Sequence, residues 1–316
     1  MSVPFLDCTS LTPECPVEAT IYGYRPSLPA NALFLTLNLL CALFSLIFGI
    51  RYRTWTYMLG LTSGVIIQSI GYIGRILMYI NPWNTTGFTI QIALLIIGPA
   101  FISASIYLTL KHFVLAFGER YSILKAKFYT WGFITADVIS IVLQAAGGAI
   151  AASGQEPDTQ QLGGDVMLAG IVWQVVSLAG FGGLGSLYFV RVLRNREELS
   201  GEQIRIAKEK KFRAFLVGIG LAYTTILIRC IYRIPELASG WRGELMRCEV
   251  DFVVLDSVMT AVAVVVLTFL HPGFCFPAMA NEQHSKREIA TGKSLDESES
   301  TSEDEGAARG KRSESV

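Results

Sequence analysis

Three arginines stand inside stretches otherwise apolar enough to cross a membrane: Arg75, Arg229 and Arg233. A guanidinium there is a fork of five donors that fits carboxylates or phosphates. Arg229, Arg233 and Glu236 fall at i, i+4 and i+7, so they stack on one helical face. Glu249 and Asp256 are seven apart and share a face of an α-helix as well. If these two helices are antiparallel neighbours, Asp256 should meet Arg229, and Glu249 should meet Glu236 or Arg233. The expected chemistry is an ion-pair network that also draws in Arg75. It either locks helices together or leaves one arginine free for a phosphate or carboxylate head group. Arg75 lies in "QSIGYIGRILMYINPW", where Gln68, Gly71, Tyr72 and Arg75 share a face. Snorkelling to the membrane surface is the alternative for Arg75.

A second polar stripe has Asp137, Ser140 and Gln144 three and four apart. No lysine or arginine is expected at the depth of Asp137, so its partners would be Gln174 or Gln68. Without a cation, burial favours the neutral acid over the carboxylate, which suits a proton-coupled site. An interhelical hydrogen bond is the plainer reading. Asn31, Asn38 and Ser45 repeat every seven residues and read as a packing face. "QAAGGAIAASG" and "LAGFGGLGS" allow close helix approach or hinging, and Pro99 is a further candidate hinge.

The elements that must position these groups follow from composition. The chain of 316 residues is 52% hydrophobic and 16% charged, with a mean hydropathy of +0.45. Soluble domains carry about 25% charged residues, so this is an integral membrane protein. Apolar runs lie near 31–50, 56–78, 88–110, 128–152, 165–190, 212–234 and 250–271. They do not alternate in polarity as barrel strands do. The fold class is therefore all-α, a seven-transmembrane helix bundle, because a helix satisfies its own backbone in lipid. Three regions are expected: an extracytoplasmic N-terminal segment (1–30), the seven-helix domain (31–272) and a disordered cytoplasmic Ser/Glu-rich tail (273–316). The first 30 residues lack a basic stretch followed by an apolar core, so no cleaved signal peptide is expected.

Basic residues set the orientation. The connections 51–55, 111–127 and 191–213 and the tail hold two, four, eight and six of them. The N-terminal segment and the other connections hold three together. The bias alternates with each span and places the N-terminus outside and the C-terminus inside. Asn84-Thr85-Thr86 is then an extracytoplasmic glycosylation sequon. Cys8 and Cys15 also fall outside, where disulfides persist. A Cys8–Cys15 bond is favoured, with Cys248 as a competing thiol. Cys275 is either a palmitoylation site or a free thiol.

Seven stretches together resemble the fungal lipid-translocating exporter family, the RTA-like seven-span proteins. They are "YGYRPSLPANALF", "GYIGRI", "IGPAFISASIYLTL", "DVISIVLQAAGG", "AGIVWQVVSLAGF", "LIRCIYRIPELASGWRGEL" and "LDSVMTAVAVVVLTFLHPG". They occur in the family's order over about residues 20–275. The departures are modest: an aromatic or histidine near the end of the first helix is absent, and Cys248-Glu249 replaces a related pair. The resemblance implies a fungal protein. It also implies relatives linked to sphingoid long-chain base export, to drug and sterol-analogue resistance, and to porphyrin or haem movement. Plasma membrane is the expected location, with the vacuole or another endomembrane as the alternative.

Other chemistries lack their parts. "TGKS" at 291–294 resembles the end of a nucleotide-binding loop, but Arg287 occupies the position of the first required glycine. Export without ATP hydrolysis by this chain is therefore expected. The seven-span layout matches a G-protein-coupled receptor, but "LTLKHF" and "LHPGF" stand where receptor motifs would be. Three histidines do not form a zinc cluster, and no lysine in the last span could hold retinal. An enzyme, a metal, a cofactor and a nucleic-acid partner are not expected. The expected function is lipid translocation of sphingoid bases or other amphipathic small molecules, with membrane lipids as partners. A lipid or stress sensor acting indirectly is the rival. The ligand-binding candidates are Arg75, Asp137, Gln144, Arg229, Arg233, Glu236, Glu249 and Asp256. An acidic group would take an amine head, and an arginine a phosphate. Ser300, Thr301 and Ser302, each three residues before an acid, are candidate phosphorylation sites.

Overall fold

The computed structural model describes residues 8–153, 156–195, 200–240 and 243–275. Seven of its helices are long and apolar enough to cross a membrane. They are α1 (Leu28–Arg51), α2 (Trp55–Ile80), α3 (Thr85–Phe117), α4 (Ala126–Ser153), α5 (Pro157–Arg194), α7 (Lys210–Ala238) and α9 (Glu249–Phe269). Two short helices, α6 (Gly201–Lys208) and α8 (Glu244–Arg247), lie in connections. No strand occurs among the described residues; Thr12 and Cys15 make one isolated bridge.

Local chemistry sets the helix ends. Asn84 caps α3 by accepting the Gly87 N–H at 2.9 Å. Ser200 and Gln203 form a reciprocal capping box on α6. The helices overrun the apolar stretches. α3 continues through Lys111 and His112 because nothing breaks it before Gly118, whose φ of 110° ends it. α5 begins at Pro157, eight residues before the apolar run, because its polar first turns are still helix-compatible.

Consecutive helices pack as antiparallel neighbours, and α9 closes the ring by packing on α1 and α7. α3 is the most enclosed, with contacts to α2, α4 and α7. The surface is apolar where lipid would lie: Leu33, Leu43, Ile47, Trp131, Val142 and Val217 are exposed. Polar side chains point inward instead, as the packing-face reading of Asn31, Asn38 and Ser45 requires. Without a hydrophobic drive between helices in lipid, close backbone approach supplies the packing. The α4–α5 pair shows this best. A Cβ on Gly147 would lie 2.5 Å from the Met167 nitrogen and 2.6 Å from the Gly163 carbonyl. Gly147→Val should therefore push α4 and α5 apart, costing about 1–3 kcal/mol or more. A thermal melt of the detergent-solubilised protein reads the loss, and an unchanged melt would refute the contact.

Candidate functional site

The bundle gathers its ionisable side chains at the end where α1 begins and α2 finishes. Six of the candidates meet there. The Arg229 and Arg233 Nε atoms lie 3.0 and 3.1 Å from the same Asp256 oxygen. Arg233 also pairs with Glu236 at 2.8 Å. These side chains are 1–7% exposed, so the charges neutralise one another away from water. Arg229 has a further partner in the Leu95 carbonyl. That oxygen is free because Pro99, four residues on, has no N–H to donate to it. The proline thus builds an acceptor into α3 for a guanidinium from α7.

Glu249 departs from expectation. It binds neither Arg233 nor Glu236 but accepts the Ser27 N–H at 2.6 Å and lies 3.9 Å from Arg75. The cause is a π-helical stretch over Phe252–Val258 within α9. Its wider turn rotates Asp256 away from the face that Glu249 would share with it in a regular α-helix. Such stretches occur often at functional sites.

Arg75 is fully buried, which excludes snorkelling. It donates from Nε to Asn31 at 3.0 Å, from one terminal nitrogen to Gln91 at 3.3 Å and from the other to the Tyr24 hydroxyl at 3.3 Å. The Phe252 ring lies 3.9 Å from the guanidinium carbon. Tyr22 joins through its hydroxyl, which accepts from Gln91. The two tyrosines come from the segment before α1 and turn inward on either side of Gly23, whose φ of +68° favours glycine. Burial pushes both phenols above the usual tyrosine range, so they stay protonated. Their segment is tied down by Arg25 on the Tyr79 carbonyl and by the Trp83 indole donating to the Cys15 carbonyl. Cys8 and Cys15 are disulfide-bonded, with Cα atoms 5.9 Å apart, and Cys248 is a half-buried thiol.

Each nitrogen of the Arg75 guanidinium thus has a partner, and the Phe252 ring covers one face. Lysine keeps the charge but offers one ammonium in place of a planar fork. Arg75→Lys should lose two of three hydrogen bonds and melt earlier, at a cost of about 2–4 kcal/mol. A normal melt with altered ligand binding would instead make Arg75 a head-group ligand.

Asp137 stands apart from this cluster. It is 4% exposed, and among the described residues no lysine or arginine pairs with it. The Tyr107 hydroxyl of α3 faces it. Gln174 and Gln68, the expected partners, are engaged elsewhere or unconnected to it. Gln174 accepts from Gln144 at 3.1 Å, and Ser140 donates to the Gly170 carbonyl at 2.8 Å. Gln144 thus belongs to a hydrogen-bonded clamp between α4 and α5. Asn84 is half-buried at the start of α3 with its carbonyl engaged in capping. Cys275 is buried. Ser300, Thr301, Ser302 and the "TGKS" stretch lie outside the described residues. Among the described residues, no group of three or more His, Cys, Asp or Glu is placed to hold a metal.

Sequence reasoning missed Tyr22, Tyr24, Gln91, Phe252 and Tyr107. Pro99, a candidate hinge in the sequence, also frees the Leu95 carbonyl for Arg229, and its missing N–H is the sign that could mark such an acceptor.

The chain is 30% identical over 252 residues to the sphingoid long-chain base transporter RSB1 of Saccharomyces cerevisiae, covering 71% of this chain and 66% of that one. It is 32% identical over 203 residues to protoporphyrin uptake protein 1 of the same species, covering 62% of each. Protein RTM1 of Saccharomyces cerevisiae is 28% identical over 221 residues, covering 67% of this chain and 66% of that one. The chain thus spans just under two thirds of the length of these relatives. No solved structure matches. The sequence model of the RTA1-like proteins matches residues 61–279, most of the seven-helix domain, and this chain therefore belongs to the RTA1-like protein family.

Proposed function

We propose that the protein translocates single-chain amphiphiles with a cationic head across a membrane, with Asp137 as the acceptor for the amine. The carrying observation is a balance of charge inside the bundle. Arg75, Arg229 and Arg233 each have an acidic neighbour among Glu249, Asp256 and Glu236. Among the described residues, no lysine or arginine nitrogen pairs with Asp137. A phosphate head would need a free guanidinium, and the three inside are taken. An amine needs a carboxylate, and one buried carboxylate has no cation.

One relative is named a sphingoid long-chain base transporter. Such a base is a long-chain amine, and this chemistry agrees with an acidic acceptor. The distribution of basic residues supports an orientation with the N-terminal segment outside and the basic connections in the cytoplasm. Residues 8–27 then form an extracytoplasmic cap over the arginine cluster. A fungal plasma membrane is the proposed location. Movement is driven by the gradient of the amphiphile or of protons.

Purified protein in vesicles tests this directly. A fluorescent long-chain amine should cross with the protein as the sole addition, and the alcohol of equal chain length should cross much more slowly. No protein-dependent movement of either would support the rival reading, a sensor that acts indirectly.

A further inference from the structure

Toward the end of the bundle where α3 stops and α7 begins, α3, α5 and α7 part to leave a cleft of about 370 Å³ that opens to the outside of the bundle. Ile106, Leu110, Phe181, Gly185, Leu216 and Gly220 form much of its wall, and no charged side chain lines it. Its volume is in the range of small-molecule sites, about 300–1,000 Å³. Gly220 leaves room: a Cβ there would meet nothing within 4 Å. The cleft is therefore shaped for hydrocarbon, yet it does not end in hydrocarbon. Phe181 forms part of its wall, and its ring centroid lies 4.4 Å from that of Tyr107. The Tyr107 hydroxyl faces Asp137. One aromatic layer thus separates an apolar cleft from a buried carboxylate that, among the described residues, pairs with no lysine or arginine.

Depth gives this pairing a direction. Asp137 lies eleven residues from the start of α4 at Ala126, about 16 Å along the helix axis. The cleft runs from the level of Tyr107 toward that same end of the bundle. A molecule using both would hold its head deeper than its chain.

We propose that this cleft binds the chain of a single-chain cationic amphiphile while Asp137 holds its amine, so that the molecule lies inverted relative to lipids of the adjoining leaflet. The proposal rests on the reading of Asp137 as the amine acceptor. It adds where the chain goes and which way up the molecule lies. Inversion is the step that unassisted lipid finds hardest, because the polar head must leave water. A carboxylate at mid-depth lowers that cost, and the cleft keeps the chain in apolar surroundings meanwhile. Phe181 must turn aside for the head to reach Asp137, which makes its ring the gate. A second groove of about 340 Å³ between α4 and α5 is the competing location. The Trp173 indole spans that groove by donating to the Ala136 carbonyl at 3.1 Å, which holds it together.

The test uses the full chain in lipid nanodiscs and an octadecylamine with a photoactivatable diazirine in mid-chain. Cross-links should map to the cleft, and unlabelled octadecylamine should suppress them far better than octadecanol. Gly220→Phe fills open space and should leave folding intact. It should cut cleft labelling and amine transport by roughly tenfold, the loss expected from denying two methylenes their burial. Gly183→Phe adds the same ring to open space outside the cleft and should change neither. Labelling in the α4–α5 groove, or wild-type labelling and transport in Gly220→Phe, would overturn the cleft. If Asp137→Asn stops amine transport while Gly220→Phe does not, the cleft alone falls. If Asp137→Asn transports normally, the amine reading falls and the cleft proposal with it.

Discussion

Replacing Asp256 with alanine is expected to strip most folded protein from the membrane. One Asp256 oxygen lies within 3.1 Å of both Arg229 and Arg233, and all three side chains are buried. Removing the acid leaves two guanidiniums facing each other with one remaining carboxylate, Glu236, on Arg233. Breaking a buried pair costs about 3–5 kcal/mol, because the abandoned charge is still desolvated. Whole domains have only about 5–15 kcal/mol of stability. The measurement is the melting temperature and the monodisperse fraction in detergent. Asp256→Asn keeps the shape and should still fall well below the wild type, which isolates charge from packing. Exchanging Arg229 and Asp256 should rescue poorly, because an arginine introduced at 256 would face Arg233. A melt within experimental error of the wild type for Asp256→Ala would sink the lock.

What the sequence made legible here follows from periodicity. The Arg229–Asp256 pair could be read because Arg229 and Arg233 lie on α7 ahead of Pro235, where a four-residue spacing puts both on one face. Glu249 could not, because nothing in "CEVDFVVLDSV" marks the π-helical stretch that turns it toward Ser27 and Arg75. A seven-residue spacing carries meaning only while the turn keeps its 3.6 residues. The seven spans were legible from apolar length alone, but their ends were not. A helix stops where a residue can end it, as at Gly118, and not where the lipid does. The partners of Arg75 were hidden for a different reason. Tyr22 and Tyr24 precede the first span in a polar segment without period, and only tertiary folding brings them over the cluster. Asp137 was legible as a buried acid, while its neighbour Tyr107 sits on another helix amid apolar residues that give no register between α3 and α4.

Replacing Asp137 with asparagine should have the opposite stability signature and the larger effect on transport. Asparagine has the same shape but cannot carry a negative charge. The Tyr107 hydroxyl faces Asp137, and an asparagine amide oxygen can still accept from it, so the substitution keeps that contact. It removes the cost of a buried acid without a cation, so the melt should be unchanged or higher. Asp256→Asn moves it down. Two acids in one bundle are thus separated by sign, which a general loss of folding would not produce. Transport of a long-chain amine should fall by about 10- to 150-fold, the worth of a charge-assisted hydrogen bond of roughly 1.5–3 kcal/mol. The neutral alcohol should be unaffected, since it never used the charge. Asp137→Glu should recover part of the amine transport, because it restores the carboxylate at a slightly wrong distance. The readout is the ratio of amine to alcohol movement in vesicles holding equal amounts of each variant. A collapsed melt in Asp137→Asn would assign this carboxylate to the scaffold, and a preserved ratio would remove it from head-group selection.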